Sequence, residues 1–279
     1  MPDPLPPSQS FVHDHRRIAY RVLGEGSKVI VLTHGLLMDT LMFTKLAPVL
    51  AARGHRVVLV DMLGHGESDQ PHEMASYSMP QFGRDVIALL DHLGVEQAVI
   101  GGTSLGANVS LEAAVAAPHR VRALMVEMPV LESGITGAGA VFVPLAFAIR
   151  VSQRGMRAVS AFARRIPRFF LVIDILLDFI RRDPGASLAV LDGITFGRIA
   201  PPAKERRKLR HPTLVVGHGA DPIHPFTDAD RLKDEMPNAR LVEARSIAEW
   251  RFAPARLDAE LLAFLDEVWA EAPIRLVAN

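Results

Sequence analysis

The chain has 279 residues, enough for one large α/β domain or for a core domain with an inserted module. Its 31 basic residues balance 31 acidic ones, so overall charge gives no reason to expect nucleic acid as a partner. The absence of cysteine excludes disulfides, thiol nucleophiles and cysteine metal sites, and a cytoplasmic location is expected. We expect no signal peptide and no membrane span, because the start is neither basic nor apolar and the apolar stretch from Phe169 to Ile180 contains two aspartates.

The first half of the chain alternates between apolar β-branched runs and helical patterns. Short strands are predicted within Phe11 to Gly24, and buried strands at Lys28 to Thr33 and Arg56 to Val60. The intervening segment from Thr40 to Arg53 is predicted to be helical. A second helix is predicted from Ser78 to Leu93, where Ser78 and Gln81 fit a capping box. This spacing indicates a parallel sheet with helices on both faces.

The second half departs from this alternation and then returns to it. Strands are predicted at Ala98 to Ile100 and Ala123 to Val126, after which residues 131–210 show only helical patterning. The sheet resumes with a predicted strand at Thr213 to Val216. After it we predict a helix at Thr227 to Glu235, a strand at Arg240 to Glu243 and a last helix from Pro254 to Trp269. We therefore predict a core formed by residues 1–130 and 211–279, and a helical cap formed by residues 131–210 and inserted after the sixth strand.

The segment from Gly102 to Gly106 has the pattern G-x-S-x-G and lies between a predicted strand and a predicted helix. A serine at so sharp a turn adopts strained backbone angles, and only very small residues fit two positions before and after it. Such a turn lifts the Ser104 hydroxyl from the sheet edge beside a helix N-terminus, which suits a nucleophile. Ser104 is the predicted nucleophile, and the alternative is a small-residue turn without chemistry.

Three motifs together resemble the α/β-hydrolase superfamily: His34-Gly35 after a strand, D-x-x-G-H-G-x-S from Asp61 to Ser68, and G-x-S-x-G around Ser104. The resemblance covers about residues 10 to 270. It implies a mostly parallel eight-stranded sheet flanked by helices, a cap over the site, and a serine nucleophile with a base histidine and an orienting acid.

The resemblance also assigns the groups around the nucleophile. Backbone N–H groups of Leu36 and Leu105 would form the oxyanion hole. Asp221, in G-x-D-P-I-H-P after the strand that follows the cap, stands at the usual position of the acid, and Glu127 is the alternative. His34 and His65 are interpreted as loop-bracing residues.

The base histidine is missing from its usual place, the loop after the last strand, which reads ARSIAEWRFAP and has Ile247 near the expected position. His224 is the candidate catalytic base and His218 the alternative, and the remaining possibilities are water, a carboxylate such as Glu249, or no base at all. Because His224 follows Asp221 by only three residues, it would have to turn back over its own loop. We therefore expect both imidazoles to point away from Ser104.

The predicted function is that of a serine hydrolase, carboxylesterase-like, acting on an ester or related acyl compound with an apolar part. We expect a mainly apolar pocket above Ser104, and the cap arginines are interpreted as a solvated cationic face or as one carboxylate-binding group. The alternatives are a non-hydrolytic small-molecule binder, and a cofactor-free lyase or C–C bond hydrolase. No cofactor, metal or nucleic acid is expected, and a homodimer remains open.

Overall fold

The computed structural model describes residues 5–166, 180–219, 221, 223–246 and 249–270. Their centre is an eight-stranded sheet in the order β1-β2-β4-β3-β5-β6-β7-β8. The β1–β2 and β2–β4 pairs are antiparallel and all the others are parallel, which confirms the predicted mostly parallel sheet. The strands are β1 (Gln9–His13), β2 (Arg16–Leu23), β3 (Lys28–Thr33), β4 (His55–Asp61), β5 (Ala98–Thr103), β6 (Val121–Glu127), β7 (Thr213–His218) and β8 (Ala239–Ala244).

Helices cover both faces of the sheet, as its apolar strands require, because β3, β4, β5, β6 and β7 are buried almost throughout. One face packs mainly on helices from the middle of the chain, and the other on the first and last helices. The described helices are α1 (Leu46–Ala52), α2 (Met79–His92), α3 (Leu105–Ala116), α4 (Gly134–Val151), α5 (Gln153–Ala163), α6 (Pro184–Thr195), α7 (Ala203–Arg206), α8 (Phe226–Glu235), α9 (Glu249–Phe252) and α10 (Ala255–Ala270).

Most predicted boundaries agree with the structure to within two or three residues. The predicted helix over Thr40 to Arg53 is wrong in its first half, where a separate 3₁₀ turn covers Thr40–Phe43 and α1 begins only at Leu46. Asp39 caps that turn by accepting a hydrogen bond from Leu41 N–H, and this short-range bond competes with a continuous α-helix. The Ser78 cap is confirmed, since its hydroxyl accepts from Gln81 N–H.

Between β6 and β7, the described residues form helices α4 to α7 and no strand. We call residues 131–210 the helical insertion, although the division of the chain into core and cap stays a prediction. The root of α4 is fixed to α8 by the buried carboxylate of Asp228, which accepts hydrogen bonds from the amides of Leu131, Ser133 and Gly134 at 2.7–3.1 Å. The start of the insertion is thereby held at the carboxyl ends of β6 and β7.

Among the residues that the structure describes, one helix, Gly134–Val151, is long and apolar enough to cross a membrane by length and composition alone. It was overlooked in the sequence, where the apolar stretch considered was Phe169 to Ile180, most of which lies outside the described residues. Its 18 residues have a mean hydropathy of 1.7, yet only 11% of them are buried.

Candidate active site

The turn at Ser104 is sterically closed to any side chain larger than hydrogen on either side. Ser104 has φ 56° and ψ −109°, a left-handed conformation that non-glycine residues rarely adopt. A Cβ on Gly102 would lie 2.5 Å from the Gly106 carbonyl carbon, and a Cβ on Gly106 would overlap the carbonyl oxygen of Thr33. The sequence argument for two small residues around the serine is therefore confirmed, with Thr33 of β3 as the third partner.

The elbow is anchored to the neighbouring strand on its other side. Ser104 N–H donates to the Glu127 carbonyl oxygen at 2.8 Å, and the Ser104 carbonyl accepts from Asn108 N–H at 3.1 Å. These bonds hold the residue between the end of β5 and the first turn of α3. The strained backbone persists because the surrounding structure fixes it, and the side chain is left half-buried at the top of the sheet.

His224 reaches Ser104, so the expectation that its imidazole points away is wrong. His224 Nε2 lies 2.8 Å from Ser104 Oγ, and His224 Nδ1 lies 2.7 Å from Asp221 Oδ2. The turn back over the loop is made by the Asp221 side chain, whose Oδ1 accepts from the amides of Ile223 and His224 at 2.8 and 3.1 Å. Asp221 thus folds the loop and holds the imidazole with the same carboxylate.

The charge state of Asp221 fixes the imidazole tautomer. Burial alone would raise the pKa of Asp221, but the hydrogen bonds from His224 and the loop amides outweigh it and lower the pKa to about 2. The carboxylate is therefore ionised near neutral pH and can only accept. Nδ1 of His224 must carry the hydrogen, which leaves Nε2 as an acceptor for the Ser104 hydroxyl.

Leu36 and Leu105 lie beside Ser104 in the wall of one pocket. Leu36 follows β3 and Leu105 begins α3, so both amides come from the carboxyl edge of the sheet. Within the described parts of the chain, neither amide donates a hydrogen bond to a protein acceptor. Their donors are available for a ligand, as the oxyanion-hole prediction requires, and that role stays a prediction.

The other candidate residues are placed elsewhere. His218 is buried, with Nδ1 2.9 Å from the Ser246 carbonyl oxygen and Nε2 3.8 Å from Glu127. Glu249 pairs with Arg256 at 2.8 Å. Neither meets Ser104 Oγ, whose side-chain partner is His224. Ile247, the predicted occupant of the usual histidine position, lies outside the described residues.

Glu127 does not orient the histidine that reaches Ser104. Its Oε2 accepts from Arg251 Nη2 at 2.8 Å and from the Thr103 hydroxyl, and it is almost fully buried. Burial opposes its ionisation, yet the charge of Arg251 and the hydrogen bond from the Thr103 hydroxyl lower the pKa of Glu127 to about 2. This ion pair ties the segment after β8 to the end of β6. Thr103, directly before Ser104, donates to the same carboxylate. Arg251 was missed in the sequence.

The bracing roles of His34 and His65 are confirmed. His34 donates to the Gly35 carbonyl at 2.9 Å and accepts from Met62 N–H at 3.0 Å. His65 donates to the Leu63 carbonyl at 2.9 Å and accepts from Leu37 N–H at 3.2 Å. Burial lowers the pKa of both imidazoles, to about 4 for His34, so both are neutral near pH 7. Their hydrogen bonds connect the loop after β3 with the loop after β4.

The remaining residues of D-x-x-G-H-G-x-S also brace this loop. Asp61 accepts from the amides of Thr40 and Glu67 at 2.9 and 3.0 Å, and a Cβ on Gly66 would overlap its carboxylate. The Ser68 hydroxyl donates to the Asp61 carbonyl and accepts from Ala19 N–H. The motif therefore fixes the loop that supports the Leu36 segment.

A mainly apolar pocket of about 760 Å³, including the part open to solvent, lies above Ser104, as the sequence predicted. One wall is α4 and another is α6. Among the described residues that line it there is no arginine or other charged side chain, so the predicted carboxylate-binding arginine finds no support there. The lining residues are Leu36, Met79, Ser104, Leu105, Asn108, Val130, Ile135, Ala138, Gly139, Phe142, Val143, Leu191, Ile194, Thr195, Ile199 and Ile223.

Asn108 is the polar side chain in that wall that the sequence did not single out. Its amide nitrogen donates to the carbonyls of Val130 and Ile199, at 2.7 and 2.9 Å, and its oxygen accepts from Val130 N–H. It ties α3 to the residue directly before the insertion and to the segment between α6 and α7. A buried asparagine one helical turn after the elbow serine was the available signal.

The comparisons with known proteins agree with this architecture. A family model described as alpha/beta hydrolase fold matches residues 28–148. The chain belongs to the α/β-hydrolase superfamily. The match covers β3 to α4, including the elbow and both supporting loops.

Individual relatives extend the similarity along the chain. A dihydrolipoyllysine-residue acetyltransferase component of an acetoin cleaving system from Pseudomonas putida is 31% identical over 257 residues, 87% of this α/β hydrolase and 64% of the relative. The chain thus spans less than two thirds of that relative's length. A putative carbamate hydrolase from Azorhizobium caulinodans is 28% identical, over 80% of this chain and 84% of the relative. The crystal structure of an enol-lactonase from Burkholderia xenovorans LB400 superposes with a TM-score of 0.76 at 22% identity, covering 92% of this chain and all of that one.

Proposed function

We propose that this protein is a serine hydrolase that cleaves an ester or a related acyl compound with an apolar, uncharged acyl part. The observation that carries the proposal is the hydrogen-bonded series from Asp221 through His224 to Ser104 Oγ, with distances of 2.7 and 2.8 Å. A serine hydroxyl becomes a useful nucleophile when a correctly oriented base accepts its proton. The absence of a histidine from its usual place was the main support for the alternative of a non-hydrolytic binder, and His224 beside Ser104 removes that support.

In this mechanism Ser104 Oγ attacks the substrate carbonyl while its proton passes to His224 Nε2. The resulting oxyanion accepts hydrogen bonds from the Leu36 and Leu105 amides. The imidazolium then gives the proton to the leaving oxygen, which departs and leaves an acyl-Ser104. Water, deprotonated by the same imidazole, attacks the acyl carbonyl and releases the acid, so that Ser104 regains its proton.

The electrostatics of the site support this cycle. Asp221 is the ionised neighbour that stabilises the imidazolium formed in both halves of the reaction, and its side chain is only 8% exposed. The pocket wall supplies no charged partner among the described residues, so a charged acyl group would lose hydration without compensation. An apolar acyl chain gains free energy by burial against α4 and α6 instead.

The relatives fit this substrate class without fixing a substrate. The names of the two hydrolases specify an enol lactone and a carbamate. Both compounds contain a carbonyl bonded to a leaving heteroatom, the bond arrangement that the Ser104 site is suited to attack.

The decisive experiment combines covalent labelling with turnover. The purified protein should react with a fluorophosphonate at Ser104, located by peptide mass spectrometry, and should hydrolyse p-nitrophenyl butyrate. Ser104→Ala should lose both properties, whereas Ser110→Ala, at a serine of α3 that donates to the Gly106 carbonyl, should keep labelling at Ser104. An unlabelled but folded wild-type protein would overturn the proposal and return the binder interpretation.

A further inference from the structure

The helices α4 and α5 expose an unusual amount of apolar surface. Of the twelve large hydrophobic side chains that are strongly exposed among the described residues, seven lie in these two helices. Val143, Phe147 and Val151 follow one another at four-residue spacing along α4 and are 54%, 64% and 69% exposed. They form a continuous stripe on the side of the helix turned towards solvent.

The adjoining charges all have one sign. Residues 133–166 contain five arginines, at 150, 154, 157, 164 and 165, and no aspartate, glutamate or lysine, so this segment has a net charge of +5 in a chain whose total is zero. Arg150 pairs with Asp192, at 2.7 Å. Arg154, Arg157 and Arg165 are exposed and form no ion pair with any described residue.

The apolar and basic groups share the surface of α5. This helix buries Ser160 and Ala163 and leaves Arg154 and Phe162, two helical turns apart, on the opposite side, where Phe162 is 66% exposed. We call the combined surface the basic apolar face. It consists of Val143, Phe147, Val151, Val159 and Phe162 together with Arg154, Arg157 and Arg165.

We propose that the basic apolar face docks on a membrane surface that carries anionic headgroups, with α4 and α5 lying in the plane of the interface. Exposed apolar side chains beside arginines that form no ion pair within the described part of the chain are the pattern of helices that insert shallowly and bind acidic lipid. Charge complementarity selects this occupant over a second copy of the chain, because a twofold interface through this face would set the same +5 segment against itself.

The orientation in the plane follows from the inner side of α4. Ile135, Ala138 and Phe142 line the pocket, and Asp228 fixes the first turn of the helix. A helix that crossed the bilayer would have to leave these contacts. The face therefore lies on the membrane while the pocket wall stays intact.

The test is vesicle flotation of the whole protein, which needs no turnover and is therefore independent of the proposed hydrolase activity. Vesicles of phosphatidylcholine with an equal share of phosphatidylglycerol should carry the protein, and vesicles of phosphatidylcholine alone should carry far less. Each arginine near such a surface is worth about a fivefold change in partition, so Arg154→Gln, Arg157→Gln and Arg165→Gln together should weaken binding roughly a hundredfold. High salt should have a similar effect.

Two further variants separate this face from general effects. Lys28→Gln, Arg53→Gln and Arg84→Gln together remove the same charge from exposed residues outside the insertion and should leave binding unchanged. Phe147→Ser with Phe162→Ser should weaken binding to the acidic vesicles while circular dichroism stays native. The proposal is overturned if phosphatidylglycerol does not increase the binding of wild type, or if the triple variant of Arg154, Arg157 and Arg165 binds as well as the control triple variant. It is also overturned if sedimentation shows a dimer that the double phenylalanine variant dissociates.

Discussion

Substituting Asp221 by asparagine should reverse the imidazole tautomer while the loop keeps its shape. Asp221 Oδ1 accepts two backbone amides, at 2.8 and 3.1 Å, and an asparagine oxygen placed there preserves both bonds. The asparagine NH₂ group then faces His224 Nδ1, where it can only donate. Nδ1 must become the acceptor, and the hydrogen moves to Nε2, which can no longer accept the Ser104 proton.

The size of the effect follows from that exchange of donor and acceptor. In the serine-histidine-aspartate mechanism such a tautomer change costs ~10⁴ in kcat, equivalent to ~5.5 kcal/mol of transition-state stabilisation. We expect the same order for Asp221→Asn in p-nitrophenyl butyrate hydrolysis, with KM little changed because Asp221 does not line the pocket. The free energy of unfolding should fall by ~1–2 kcal/mol, since a charged hydrogen bond is replaced by a neutral one.

The assay pairs kinetics with a direct view of the ring. Nitrogen-15 spectra of the histidines should place the hydrogen of His224 on Nδ1 in the wild type and on Nε2 in Asp221→Asn. Asp230→Asn, at an exposed position in α8, is the matched control and should leave both readouts unchanged. Activity of Asp221→Asn within tenfold of wild type, or an unchanged tautomer, would refute the reasoning.

Three further outcomes are expected. Ser104→Ala should lower kcat for the aryl ester by at least ~10⁴ with unchanged stability; retention of wild-type turnover would place the active site elsewhere. Gly106→Ala should cost ~3 kcal/mol or more of unfolding free energy, because its methyl group overlaps the backbone. The control Gly139→Ala, with open space around it in α4, should be neutral or stabilising. Equal urea midpoints for the two variants would contradict the steric argument. Since the pKa of Glu127 is lowered from 4.5 to about 2, its ionised form contributes on the order of 3 kcal/mol of stability above pH ~4.5, and this contribution disappears as pH falls towards 2. Urea unfolding of wild type should show that loss, and the unfolding free energy of Glu127→Gln should depend less steeply on pH between 4.5 and 2. If the two proteins lose stability equally over this range, Glu127 is not the source of the pH dependence.

The elbow and its supporting loops were predictable from sequence because their constraints are local. Gly102, Gly106 and the Asp61 loop occupy positions where a side chain would overlap backbone or carboxylate atoms, so the fold admits few residue types there. Strand and helix periodicity likewise followed from burial on one or two faces. Each of these features depends on residues that are close together in the sequence.

The position of the base was not predictable because it depends on a turn made by side-chain bonds. The sequence shows that His224 follows Asp221 by three residues, but not that Asp221 Oδ1 binds two loop amides and reverses the chain. The pairing of Arg251 with Glu127 depends on contacts between residues 124 positions apart. Such contacts depend on how β6 and the segment after β8 meet, which no local pattern encodes.

The three-residue spacing of Asp221 and His224 places both residues on one short loop, which contacts Ser104 through the hydrogen bond to His224. Asp221 and His224 share one short loop and are bonded to each other through both backbone and side chain, so displacement of that loop carries the pair away together. This loop meets the nucleophile turn through the hydrogen bond between His224 and Ser104. Asp228, just beyond the loop in α8, also holds the first turn of α4. A displacement of this loop would thus separate His224 from Ser104 while the bond between His224 and Asp221 stays intact.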